Sequence, residues 1–112
     1  MGGDFDFALG AKDVGLRLVP AGKLLAAGQF FQAAESSLIA ALQNTPDTQA
    51  RDRSEMLKHL AFIRGFYLGK VAQARVDIEQ AIALQPENKN LQAVRNNLAR
   101  GNAEIFKDQP RG

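Results

Sequence analysis

The stretch "AQARVDIEQAIALQPENKN" (residues 72–90) decides how the chain folds. With Val71 just before it, Ala74, Ile78, Ala81 and Ile82 recur at intervals of three and four, which places them on one stripe of a helix. Asp77, Glu79 and Gln80 read as the solvated side, with Asp77 and Glu79 two positions apart and not facing each other. Pro86 stops the run, because proline has no amide donor and crowds the preceding turn. Two alanines on the buried stripe imply that a second helix approaches closely, since a stripe built only to bury area would use leucine.

The same pattern occurs earlier. "FFQAAESSLIAALQNTP" (30–46) matches 70–86 at a shift of 40, pairing Phe31 with Val71, Ala34 with Ala74, Leu38 with Ile78, Ala41 with Ala81, Leu42 with Ile82 and Pro46 with Pro86. The segments before them match at a shift of 41, with Val19 on Leu60, Lys23 on Arg64, Leu25 on Phe66 and Gly28 on Gly69. Each copy therefore reads as two helices around a glycine turn, where glycine accepts the left-handed backbone that ends a helix. "NKNLQAVRNNLARG" (88–101) reads as one more helix with a single apolar edge, Leu91, Val94 and Leu98, and Gly101 at its end.

This pattern resembles the tetratricopeptide repeat family, whose helix–turn–helix units carry small residues at fixed points of the second helix and a proline after it. Ala34/Leu38/Ala41/Pro46 and Ala74/Ile78/Ala81/Pro86 carry the resemblance, and Gly28-Gln29-Phe30-Phe31 and Gly69-Lys70-Val71 stand at its glycine turn. It covers roughly 16–100, and departs from the family in lacking tryptophan and in "TPDTQARDRS" (45–54), which carries about six extra residues over the 34-residue unit. The resemblance implies an all-α fold of about five helices, antiparallel pairs stacked as a short right-handed α-solenoid. The expected organisation is a lead-in at 1–14, repeat 1 at 15–46, a polar linker at 47–54, repeat 2 at 55–86, a capping helix at 88–101 and a frayed tail at 102–112.

Composition sets the class of chemistry. Apolar residues at 46% and charged ones at 23% are the balance of an ordinary globular domain. There are no cysteines, which removes disulfides, thiolate metal sites and cysteine nucleophiles. A single histidine cannot form a histidine pair for a metal, and His59, beside Lys58 and Glu55, reads as a surface residue. Ser36-Ser37 has no glycine elbow, and the glycines of "MGGDF" and "GFYLG" lack the strand-then-helix context of a phosphate loop. No enzyme activity, cofactor or metal is expected. No run of about eighteen apolar residues is present, and "MGGDFDFALG" is neither a signal peptide nor, with Asp6, a myristoylation start. It reads as a trimmed end on a soluble protein of cytoplasm or bacterial periplasm.

Charge placement suggests the function. Acids are absent from 56–76 and 88–103, which hold Lys58, Arg64, Lys70 and Arg75, then Lys89, Arg95 and Arg100. In the resembling family the first helix of each pair lines the concave face, which implies that Lys23, Arg64 and Arg100 share a basic groove. Arg64, inside "LAFIRGFYL", offers a fork for a carboxylate among aromatic rings. The expected role is a protein-interaction scaffold for an acidic and apolar peptide, with Lys23, Leu60, Ile63, Arg64, Phe66, Tyr67, Asn97 and Arg100 as the binding residues. Some family members clamp chaperone carboxyl termini with Lys, Asn and Arg; Arg64 and Tyr67 stand where an asparagine would be needed, so no such clamp is expected. Nucleic acid is a poor fit, because rings at helical spacing are core residues more often than base platforms. The alternative role is self-assembly through the apolar residues of 60–68 and the N-terminal segment.

Overall fold

The computed structural model describes residues 2–100, and among them the secondary structure is entirely helical. Five helices follow in order: α1 Gly2–Leu18, α2 Leu24–Gln43, α3 Ala50–Phe66, α4 Val71–Leu84 and α5 Lys89–Ala99. Helices α1 and α2 pack as one pair and α3 and α4 as a second, with α5 against the second pair. The expected tail at 102–112 and the role of Gly101 lie outside the described residues.

Helix α3 is shared by two cores. Its Met56, Leu60 and Ile63 join Phe31, Leu38, Val19 and the small residues of α1. Its Leu57 and Ala61 join Ala74, Ile78, Ala81, Leu91 and Leu98. Ala34, Leu38 and Ala41 and their counterparts Ala74, Ile78 and Ala81 are all buried, so the stripe read from the sequence is the packed face of both α2 and α4.

The N-terminal segment is not a lead-in. Residues 2–18 form a full helix because Ala8, Ala11 and Gly15 recur at three and four residues and are buried against α2. A side chain at Gly15 would meet the Phe31 ring at 2.7 Å, so this glycine is what lets the two helices touch. Tertiary contact outweighs the poor helix propensity of the glycines in α1.

The first turn also lies elsewhere than expected. Pro20 ends α1, and Val19-Pro20-Ala21-Gly22-Lys23 turns the chain, with Gly22 at φ 77° and Lys23 N–H donating to Leu18 O at 3.0 Å. Gly69 at φ 72° does the same after α3, with Lys70 N–H on Arg64 O at 2.8 Å. Gly28 therefore lies inside α2, and the correspondence at a shift of 41 fails, because it equates a turn with a helix. Gly69 follows Gly22 by 47 residues while Ala74 follows Ala34 by 40. The seven residues of difference are about two helical turns, so α2 is longer than α4 without losing the phase of its stripe.

The linker is shorter than its sequence suggests, since α3 begins at Ala50. Arg53 fixes this corner by donating to Leu42 O at 2.8 Å, in the last turn of α2, and to Thr45 O at 2.7 Å, in the turn just after it. Thr45 Oγ1 donates to Ala41 O at 2.7 Å. Asn88 caps α5 by accepting from Asn90 N–H at 3.0 Å. Gly65 lies under α5: a Cβ there would overlap Leu98 Cδ2 and come within 3.1 Å of Ala74 Cβ.

Candidate functional site

The residues expected to form a basic groove occupy different settings, some in the core and some exposed. Leu60 and Ile63 are 2% and 0% exposed, so they are core and present nothing to a partner. Helical period explains the correction: both point with Met56 toward α2, away from solvent. Lys23 is an exposed turn residue rather than part of a first helix, and Arg100 is an exposed residue closing α5. Asn97 is half-buried on α5. Phe66 packs on the second core and meets Phe62 edge-on at 5.1 Å. Tyr67 stacks on Phe31 at 4.3 Å, and burial pushes its phenol up to about 12. Within 60–68, Leu60, Ala61 and Ile63 are buried, while Phe62, Phe66, Tyr67 and Leu68 are half-buried.

Arg64 is engaged inside the molecule. Its Nε donates to Glu35 Oε2 at 2.8 Å and its Nη1 to Asp77 Oδ2 at 2.9 Å, tying α2, α3 and α4 together. Lys70 Nζ adds bonds of 3.0 Å to both oxygens of Glu35. Asp77 is thus not a solvated charge; like Glu35, it is buried. Burial pushes the Glu35 carboxyl up, but hydrogen bonds from Arg64 and Lys70 outweigh it and hold it below the usual range. For Asp77 burial wins over the Arg64 contact, and its carboxyl lies above the usual range. The fork predicted for a partner's carboxylate is filled by the chain's own carboxylates.

A different constellation joins α1 to α3. Lys12 Nζ donates to His59 Nδ1 at 2.8 Å and lies 4.5 Å from the centre of the Phe62 ring. Phe5, two turns earlier on α1, meets the His59 ring edge-on at 5.8 Å. On the flank, Lys58 pairs with Glu55 at 2.9 Å. Burial, then the neighbouring charge of Lys58, lowers the Lys12 amine to about 8. Burial, then Lys12 and Lys58, lowers His59 to about 4. His59 is therefore neutral near pH 7 and accepts at Nδ1, which leaves the proton on Nε2, 4.0 Å from Glu55. Its side chain is 19% exposed, so it is not the plain surface residue that its charged neighbours suggested.

Beside Phe5 the same face opens into a hollow of about 470 Å³ under the α2–α3 corner, lined by Phe5, Pro46 and Met56 with Asn44, Gln49 and Asp52. Sequence reasoning missed Lys12 and Phe5 because it left 1–14 outside the helices. The Ala8, Ala11, Gly15 spacing was the available signal, and it puts Phe5 and Lys12 on one flank of α1, two turns apart.

Among the described residues no group of three histidine, aspartate or glutamate side chains is placed to hold a metal. No helix there is long and apolar enough to cross a membrane. Comparisons with protein-family models, with curated proteins and with solved structures give no match to this chain.

Proposed function

We propose that the chain is a non-enzymatic helical-repeat module that binds a protein segment across α1 and α3. Two helix pairs turned by Gly22 and Gly69, a buried small-residue stripe on each second helix and a fifth helix after them support a tetratricopeptide-like arrangement. The single observation that carries the binding reading is Lys12. Its ammonium is drawn into a half-buried aromatic setting with a neutral histidine as partner, and burial and then Lys58 lower its pKa more than Asp13 and Glu55 raise it. A carboxylate brought by a partner supplies further negative charge there. An apolar side chain a few residues away on the partner fits the hollow walled by Phe5, Pro46 and Met56.

The partner class remains an acidic and apolar peptide, as the sequence suggested, but its contacts move from Lys23, Arg64 and Arg100 to Lys12, Phe5, His59 and Phe62. Peptides of mixed acidic and aromatic sequence, titrated by fluorescence anisotropy, test this. Lys12→Met should weaken binding about tenfold, the loss expected when a charge-assisted hydrogen bond is removed. Arg75→Ala, an exposed change on α4, should stay within about twofold, since it alters net charge only. Equal losses for the two variants would show that binding follows net charge and that this face is not the site.

A further inference from the structure

Helix α2 is unusual in its charge. Glu35 is the only charged residue among its twenty, and Glu35 faces Arg64 and Lys70. Its solvent side is therefore uncharged, while Leu25 is 82% exposed and Phe30 39%. At about 100° per residue, Phe30, Ala33 and Ala40 lie on the side of α2 away from Glu35, and thus away from α3. On α1, Phe7, Val14 and Leu18 lie on the side away from Lys12, which reaches α3. The two helices are paired, so these six residues lie toward one end of the helix array, with Phe7 59% exposed, the others besides Phe30 half-buried, and Leu18 also packed on the first core.

We propose that this face binds the same face of a second copy of the chain, giving a two-fold dimer. The opposite end of the array does not complement it, because α5 carries Lys89, Arg95 and three asparagines with Leu91 and Leu98 turned inward. A head-to-tail stack would bury those polar groups against phenylalanine, whereas a two-fold leaves them in water. In an antiparallel crossing of α2 on α2, the Phe30 ring of each copy lies over the alanines of the other, large against small. Without charge on the exposed side of α2, two copies meet there with no like-charge repulsion along that helix.

Size fits as well. Seventeen helical residues are roughly 25 Å long, and a pair of helices is roughly 20 Å wide, so each copy covers about 500 Å². The total of about 1,000 Å² is the lower bound for a specific interface, which sets the expected Kd in the micromolar range.

Sedimentation equilibrium of the full chain, from about 1 to 300 μM, decides the matter. A monomer–dimer equilibrium is expected, weakened at least tenfold by Phe30→Glu or Ala33→Glu and unchanged by Val76→Glu, an exposed position on α4. Circular dichroism melts at low concentration check that the variants fold. A chain that stays monomeric throughout overturns the proposal, as does a dimer that survives both α2 substitutions. A larger open-ended assembly overturns it too. Lys12→Met should leave the dimer intact, so the outcome is independent of the peptide-binding reading.

Discussion

Replacing Arg64 with alanine removes the one cation that touches both buried carboxylates. Glu35 and Asp77 have side chains about 10% exposed, and Arg64 itself is 14% exposed. Removing one partner of a buried ion pair costs roughly 3–5 kcal/mol, because the remaining charge is left without compensation. Lys70 still reaches Glu35 from its 45% exposed position, which moves the expectation to the low end, about 3 kcal/mol. Against a total stability of roughly 5–15 kcal/mol this is a large loss, visible in urea unfolding at pH 7 as a shift in midpoint. Protonation relieves the unpaired carboxylates, so the deficit relative to wild type should shrink as pH falls from 7 toward 4.

The two carboxylates should also differ from each other. The Glu35 carboxyl is lowered on folding, so its ionised form adds stability at neutral pH that is lost as pH falls through that lowered value. Asp77 is raised, so its ionised form is held against burial and its contribution favours low pH instead. Glu35→Gln should therefore destabilise more at pH 7 than Asp77→Asn. A deficit for Arg64→Ala below about 1 kcal/mol, or one that does not change with pH, would refute the buried triad as a tie between the helix pairs.

Acid should act through His59: with its folded value near 4 against 6.5, its contribution is present above pH 6.5 and lost progressively down to pH 4. That loss is about 2–3 kcal/mol, and His59→Gln should flatten the pH dependence of the melting temperature over this window. Gly65→Ala should destabilise by about 1–3 kcal/mol through overpacking, since the added methyl meets both Leu98 and Ala74, while Gly28→Ala meets nothing within 4 Å and should be neutral or better. Thermal melts of the two variants would separate close packing at α5 from a general intolerance of glycine replacement.

Local periodicity by itself determined the helical class, the buried stripes at Ala34/Leu38/Ala41 and Ala74/Ile78/Ala81, and a fifth helix, found at Lys89–Ala99. These are properties of single helices, where spacing alone says which side chains share a face. Residues 2–18 form a helix rather than the expected lead-in because close contact with Phe31 makes Gly15 favourable there, although glycine by itself is a poor helix former. Pro20 and Gly22 mark the first turn in the sequence, and the match of Gly28 to Gly69 at a shift of 41 places it six residues too late. Which charges are free was decided by tertiary structure alone. Arg64 meets Glu35 and Asp77, 29 and 13 residues away, and Lys12 meets His59 across 47 residues. The charge pattern along the chain counts cations and acids, but it does not say which of them neutralise each other, because that depends on how the helices cross.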